Sequence, residues 1–260
     1  MTGSDGLVAF AAGLLISVVT TPVGVSGAVF LLPVQLSVLG VPSPAVTPTN
    51  LLFNVVAGPG ALLRHRRGGG LAGPLTRLLL AGTVPGVVVG AAVRVFAVPG
   101  AEVFRIIVAA LLLPLGLWLI SRTLRRPADP PRATVSRRGI TSLALAVGVV
   151  GGVYGIGGGS LLGPILVGRG LPVAEVAPAA LTSTFVTSVV GAGAFSALGL
   201  ATGGDIAPEW TVGLLCGLGG LIGGYLGARL QPRLPDTGLR LPLGTLAVAL
   251  AVAYAAQALV

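Results

Sequence analysis

Apolar stretches alternate with short polar, arginine-bearing ones along the whole chain. The stretches fall at about 7–40, 44–63, 75–93, 103–121, 140–167, 173–198, 210–228 and 241–259. Each is long enough, as a helix, to reach across a hydrocarbon core of roughly 30 Å. Two do not fit a simple crossing. As straight helices, 7–40 would measure roughly 50 Å and 140–167 roughly 42 Å. Both are too long for one passage and too short for two, and each carries a glycine-rich motif near its middle. They predict a helix–break–helix hairpin that enters and leaves by the same face. Such backbone is tolerated at membrane depth only where protein or a watery cavity surrounds it.

The pattern recurs. Gly24-Val25-Ser26-Gly27-Ala28, followed by Pro33, returns 131 residues later as Gly155-Ile156-Gly157-Gly158-Gly159, followed by Pro164. Thr49-Asn50, Asn54, Gly58 and Gly60 return 133 residues later as Thr182-Ser183, Thr187, Gly191 and Gly193. Arg105 returns as Arg240, 135 residues on. Self-similarity at a fixed spacing marks duplicated structural units. The expected architecture is an all-α integral membrane protein in a single transmembrane domain. Repeat 1 covers about 7–121, a linker about 122–138, and repeat 2 about 139–260. The linker, with Pro127, Pro130 and Pro131 among its arginines, is too polar to span and too proline-rich for a continuous helix.

Composition agrees. The 260 residues are 54% hydrophobic and 9% charged, against about 25% charged in soluble domains. The mean hydropathy is +0.99. All sixteen basic residues are arginine, and the net charge is +9. The arginines sit in clusters beside apolar spans, without a stacking platform, so no nucleic-acid partner is expected. They report topology instead. If all eight stretches cross, ten arginines lie on one side and six on the other. If the leading stretch of each half turns back, fourteen lie together, leaving Arg94 and Arg105 opposite. The positive-inside rule selects the second arrangement. It puts loops 64–77 and 122–138 in the cytoplasm and gives three crossings per half. An odd number makes the halves inverted repeats, with both termini outside.

The glycine motifs are the first candidate site: Gly24, Ser26 and Gly27, then Gly155, Gly157, Gly158, Gly159 and Ser160. A broken helix exposes free N–H groups at the positive end of its second half, and these hold anions without any cationic side chain. The second constellation is Thr49, Asn50 and Asn54 with Thr182, Ser183 and Thr187. Residues four apart share a helix face, so Asn50 and Asn54 point together, as do Ser183 and Thr187. The competing role for small and polar residues is helix packing and interhelical bonding. That role is assigned to Gly82, Gly86 and Gly90, and to Gly219, Gly220, Gly223, Gly224 and Gly227, whose register between halves stays open. No Asp, Glu, Lys, Arg or His is expected at mid-depth, so no side-chain proton relay is visible. Cys216 reads as a small buried hydrophobe. There is no catalytic grouping, no metal cluster and no cofactor motif. The expected partners are a small anion and the lipid bilayer; the coupling ion, a proton or another, and the oligomeric state stay open.

At these residues the chain resembles the sulfite exporter TauE/SafE family of membrane permeases, over Gly13 to about Leu259. The likeness is carried by Gly155-Ile156-Gly157-Gly158-Gly159 with Pro164, by Thr49-Asn50-Leu51-Leu52-Phe53-Asn54, and by Phe104-Arg105 and Leu239-Arg240. The resemblance implies transport of small anions, chiefly sulfur oxyanions and organosulfonates, with the Gly24–Gly27 and Gly155–Ser160 breaks lining the path. The first motif departs from the glycine-rich form at Ser26 and Ala28. The rival readings are a passive anion channel and a membrane-embedded lipid-phosphate enzyme, the second needing acids or a metal that the sequence does not offer. A topology reporter fused after Val260 is expected outside the cytoplasm and one inserted in 122–138 inside it; a cytoplasmic C-terminal reporter would refute the inverted arrangement.

Overall fold

The computed structural model describes residues 3–23, 26–65, 72–98, 100–124, 136–169, 171–203, 206–230 and 236–259. Gly24, most of the predicted linker (125–135) and Arg66 and Arg67 lie outside the described residues. Ten helices are found among those described. They are α1 (Gly3–Val23), α2 (Gly27–Ser37), α3 (Val46–His65), α4 (Pro74–Phe96), α5 (Ala101–Leu124), α6 (Arg137–Tyr154), α7 (Gly159–Gly168), α8 (Val173–Thr202), α9 (Trp210–Leu230) and α10 (Asp236–Leu259). Six of them, α1, α4, α5, α8, α9 and α10, are long and apolar enough to cross a membrane. The chain is a multi-pass helical membrane protein. Outward rows such as Leu214, Leu218, Ile222 and Leu226 on α9 are exposed. A contiguous apolar surface of this kind suits lipid, not water.

Each over-long stretch does break, but unequally. A full-length helix, α1 or α6, is followed by a short one, α2 or α7, of 11 and 10 residues. At 1.5 Å per residue the short helices reach only about 16 Å, roughly half the membrane. Both breaks have local causes. Ser26 caps α2 by accepting a hydrogen bond from the Ala28 amide at 3.3 Å. Gly155 ends α6 with φ +84° and Gly157 follows with φ +70°, a left-handed backbone that side chains rarely adopt.

Glycine contacts set the directions of the long helices. Gly82, Gly86 and Gly90 of α4 lie on the Thr141, Leu145 and Val149 carbonyls of α6, so the two run parallel. Gly219 and Gly223 of α9 lie on the Phe10 and Leu14 carbonyls of α1, again parallel. Gly213 and Gly217 of α9 meet Leu52 and Val56 of α3, also parallel. Gly58 of α3 meets Phe185 of α8, and Gly191 of α8 meets Leu51 of α3, which makes α3 and α8 antiparallel. Gly116 and Gly244 bring α5 and α10 together antiparallel. The partners correspond when α1–α5 are exchanged for α6–α10: α1 packs on α9 and α6 on α4, while α3 pairs with α8 and α5 with α10. The stripes read from the sequence as close-packing glycines do pack closely.

One end of the bundle therefore gathers the C-termini of α3, α5, α7 and α9 with the N-termini of α4, α6, α8 and α10. Arg77, Arg137, Arg138, Arg169 and Arg229 belong to that end. The helices α6 and α7 form a hairpin that starts and finishes there. Each half-helix sits in its own apolar cluster. Ala28–Leu32 of α2 are buried with Phe53, Phe104, Leu112, Tyr154 and Ile156. Leu162 and Leu166 of α7 are buried with Leu75, Leu79, Ile140, Ala144 and Val176.

Gly86→Ala should lower the thermal unfolding temperature in detergent, by an amount corresponding to about 1–3 kcal/mol of overpacking, because its methyl would overlap the Leu145 carbonyl. Gly224→Ala should be tolerated, since the nearest atom to its methyl is Thr21 Oγ1 at 3.7 Å.

Candidate functional site

The α6–α7 break lies against the middles of two long helices. Gly157 packs on Thr184 and Ser188 of α8; a Cβ there would stand 2.9 Å from Ser188 Oγ. Gly158 packs on Thr83 of α4, whose Cγ2 would be 2.6 Å from an added Cβ. An added Cβ at Gly159 would overlap the Ala180 carbonyl and stand 2.6 Å from Thr184 Oγ1. No side chain fits at these three positions, so main chain and hydroxyls face each other directly. The Gly158 N–H donates to Thr187 Oγ1 at 3.1 Å. Thr187 in turn donates back to its own helix at the Ser183 carbonyl, 2.6 Å. Ser183 Oγ and Thr83 Oγ1 share a hydrogen bond of 3.0 Å. Ser160 Oγ donates to the Ile156 carbonyl at 2.7 Å and lies 3.4 Å from Thr184 Oγ1.

The first half reaches this centre through α2 and α3. Asn50 donates through Nδ2 to the Ala28 carbonyl at 2.9 Å, tying α3 to the start of α2. Tyr154, the last residue of α6, donates to the Val29 carbonyl at 3.1 Å. Thr47 donates to the Val153 carbonyl at 3.1 Å, and its own carbonyl lies where a Cβ on Gly155 would point. Gly27 packs on Ser17, Thr20 and Phe53. Asn54 lies between Leu51 and Gly58 on α3, and Ser188 between Phe185 and Gly191 on α8. The contacts of those flanking residues place both at the α3–α8 crossing.

Several polar atoms in this region are buried without a hydrogen-bond partner: Asn50 Oδ1, Asn54 Nδ2, Ser188 Oγ and Thr20 Oγ1. Each such atom costs about 1–3 kcal/mol unless something satisfies it, and buried polar groups left this way call for an explanation.

Not every expected residue joins the centre. Gly24 lies outside the described residues. The Ser26 hydroxyl is engaged as the cap of α2. Thr49 donates to the Ala45 carbonyl at 2.7 Å and accepts from the Glu209 amide at 2.9 Å, which ties α3 to the start of α9. Thr182 donates to the Pro178 carbonyl of its own helix at 2.9 Å. Conversely, Thr47, Thr83, Thr184 and Ser188 belong to the centre and were not singled out. A signal for two of them was present: Ser183/Thr187 and Thr184/Ser188 are adjacent hydroxyl pairs four residues apart on one helix.

Arg94 corrects a second expectation. The sequence reading sets it among loop arginines outside the spans, and finds no charge at depth. It lies in the last turn of α4, inside the span Pro74–Ala97, with no exposed surface. Its guanidinium donates through Nε to Thr47 Oγ1 at 3.2 Å, and through its other nitrogens to Ser43 Oγ and the Val98 carbonyl. The Phe104 ring lies beneath it, 4.0 Å from ring centre to Cζ. A cation at a helix C-terminus is favoured by the helix dipole, and these four partners account for its burial.

Comparison with protein families matches residues 9–254 to the family described as Sulfite exporter TauE/SafE. The chain belongs to this family. No curated protein matches it. TauE/SafE proteins are membrane transporters, and the matched region includes both breaks and the whole α3–α8 crossing.

Thr187→Val keeps the shape of the side chain but leaves the buried Gly158 N–H without its acceptor. The expected loss is about 1–3 kcal/mol of stability, with faster amide exchange at Gly158; unchanged exchange there would deny the bond a role.

Proposed function

We propose that this chain is a secondary transporter that moves a small anion, a sulfur oxyanion or organosulfonate, across the cytoplasmic membrane. The single observation that carries the reading is the set of buried, unpartnered polar atoms at the place where the α6–α7 break meets the α3–α8 crossing. Asn54 Nδ2 and Ser188 Oγ are neutral donors in an otherwise apolar bundle. Neutral donors suit a site that must bind an anion and then release it. Ser183, Thr184, Thr187, Thr83 and the glycine main chain supply further hydrogen-bonding groups around them.

In this reading the two halves are inverted repeats, which the opposed directions of α3 and α8 and of α5 and α10 support. The arginine-bearing end faces the cytoplasm, consistent with the positive-inside rule. The centre is packed closely around the breaks, as a site closed between two access states would be. Access alternates by rocking one half against the other around the fixed site.

Purified protein in detergent should gain thermal stability with sulfite, thiosulfate or a short organosulfonate, since a ligand that binds only the folded state stabilises it. Reconstituted protein should accumulate the same anion against its gradient when a second gradient is supplied. Asn54→Ala should weaken anion affinity about tenfold while lowering the unfolding temperature little. Gly158→Leu should insert into membranes yet transport nothing. Flux that only runs downhill would identify a channel, and full transport by the Gly158→Leu protein would reject the site.

A further inference from the structure

We propose that the buried Arg94 guanidinium, with the hydroxyls of Ser43 and Thr47, forms an oxyanion-binding station between the α6–α7 break and the end of the bundle opposite the arginine-rich one. The proposal rests on the anion-transport reading and adds to it the one charged group on the path.

Three observations lead there. The first is charge. Arg94 is wholly buried, and its hydrogen-bond partners are two hydroxyls and a carbonyl, all neutral. No carboxylate pairs with it among the described residues. A guanidinium enclosed in protein without a counter-charge is costly, and ionisable groups kept inside a membrane protein mark ion paths. The absent negative charge is what a bound anion supplies.

The second is placement. Thr47 accepts from Arg94 Nε and donates to the Val153 carbonyl, two residues before Gly155. One side chain thus stands between the cation and the glycine break. Arg94, Val98 and Phe104 lie around the α4–α5 connection, and Ser43 and Thr47 at the start of α3, all toward the end away from Arg77 and Arg137. Arg229, which stands 135 residues after Arg94 as Arg240 does after Arg105, is exposed. The second half has no equivalent buried cation at that position.

The third is chemistry. A guanidinium is a planar fork that matches two oxygens of an oxyanion at once. The Ser43 and Thr47 hydroxyls that now occupy it can rotate and donate to the same anion, while the Val98 carbonyl and the Phe104 face hold the plane in position. A small oxyanion with two or three free oxygens, of the size of sulfite, fits this donor set.

The test compares sulfite-dependent thermal stabilisation of purified wild type, Arg94→Gln and Arg94→Lys at constant ionic strength, with chloride as control. The expected result is sulfite binding by wild type, affinity at least about tenfold lower in Arg94→Gln, and an intermediate value in Arg94→Lys, which keeps the charge without the fork. A purely structural clamp predicts that Arg94→Lys fails as badly as Arg94→Gln, because an ammonium cannot span the three acceptors. That outcome, or wild-type affinity in Arg94→Gln, overturns the proposal. If Arg94→Gln does not fold, Ser43→Ala is read instead: a several-fold loss of sulfite affinity supports the station and unchanged affinity overturns it. Wild type that binds neither sulfite nor thiosulfate refutes the transporter reading itself, and the station with it.

Discussion

Backbone amides and carbonyls cannot be left bare in hydrocarbon. Every unusual feature of this molecule follows from having broken two helices under that constraint. A break frees main-chain groups, so the chain must wrap it in protein. Here each short helix is set in its own apolar cluster, and the loosened turn at Gly155–Gly158 is pressed against three long helices. The glycines serve this wrapping twice. At Gly155 and Gly157 they permit left-handed backbone. At Gly158 and Gly159 they leave no side chain to hold α4 and α8 away.

The wrapping has a cost that the polar residues partly offset. Thr187 satisfies the Gly158 amide, Tyr154 and Asn50 satisfy carbonyls at the start of α2, and Thr47 satisfies one at the end of α6. These bonds join the two halves across their boundary. Bonds of this kind in membranes average only about 0.6 kcal/mol, which suits parts that separate during a transport cycle. The stronger fixed contacts are the glycine seams, α4 on α6 and α9 on α1. Each seam joins the leading helix of one half to the fourth helix of the other, so the halves interlock and do not merely abut.

Much of this was legible in the chain. Stretches too long for one crossing, each with a glycine run, announced the hairpins, and glycines four residues apart announced the seams. Residue spacing also put Asn50 on one face with Asn54. What spacing on one helix cannot tell is which neighbour arrives at that face. Thr49 and Thr182 looked equal to Asn54, yet one binds the start of α9 and the other its own helix. Ser26 looked like a donor for a ligand and is consumed as a cap. Arg94 was misplaced for a different reason. Counting arginines assigns each to a side as though it were solvated, and a cation enclosed by Thr47, Ser43, Val98 and Phe104 cannot be told from a loop arginine until the fold brings those four together.

One asymmetry carries a consequence of its own. The Phe10 carbonyl of α1 and the Leu145 carbonyl of α6 occupy equivalent places in their seams. Past that point α1 continues for thirteen residues and α6 for only nine. The four extra residues are about one turn, or about 6 Å, so the first break is displaced toward the arginine-bearing end relative to a symmetric pair. That displacement is about a fifth of a hydrocarbon core of roughly 30 Å. At about 2.3 kcal/mol per elementary charge per 100 mV, a monovalent ion would gain or lose about 0.5 kcal/mol over that step. The resting voltage of the cell therefore weighs the two breaks differently, and a built-in preference for one direction of traffic needs no chemical difference between them.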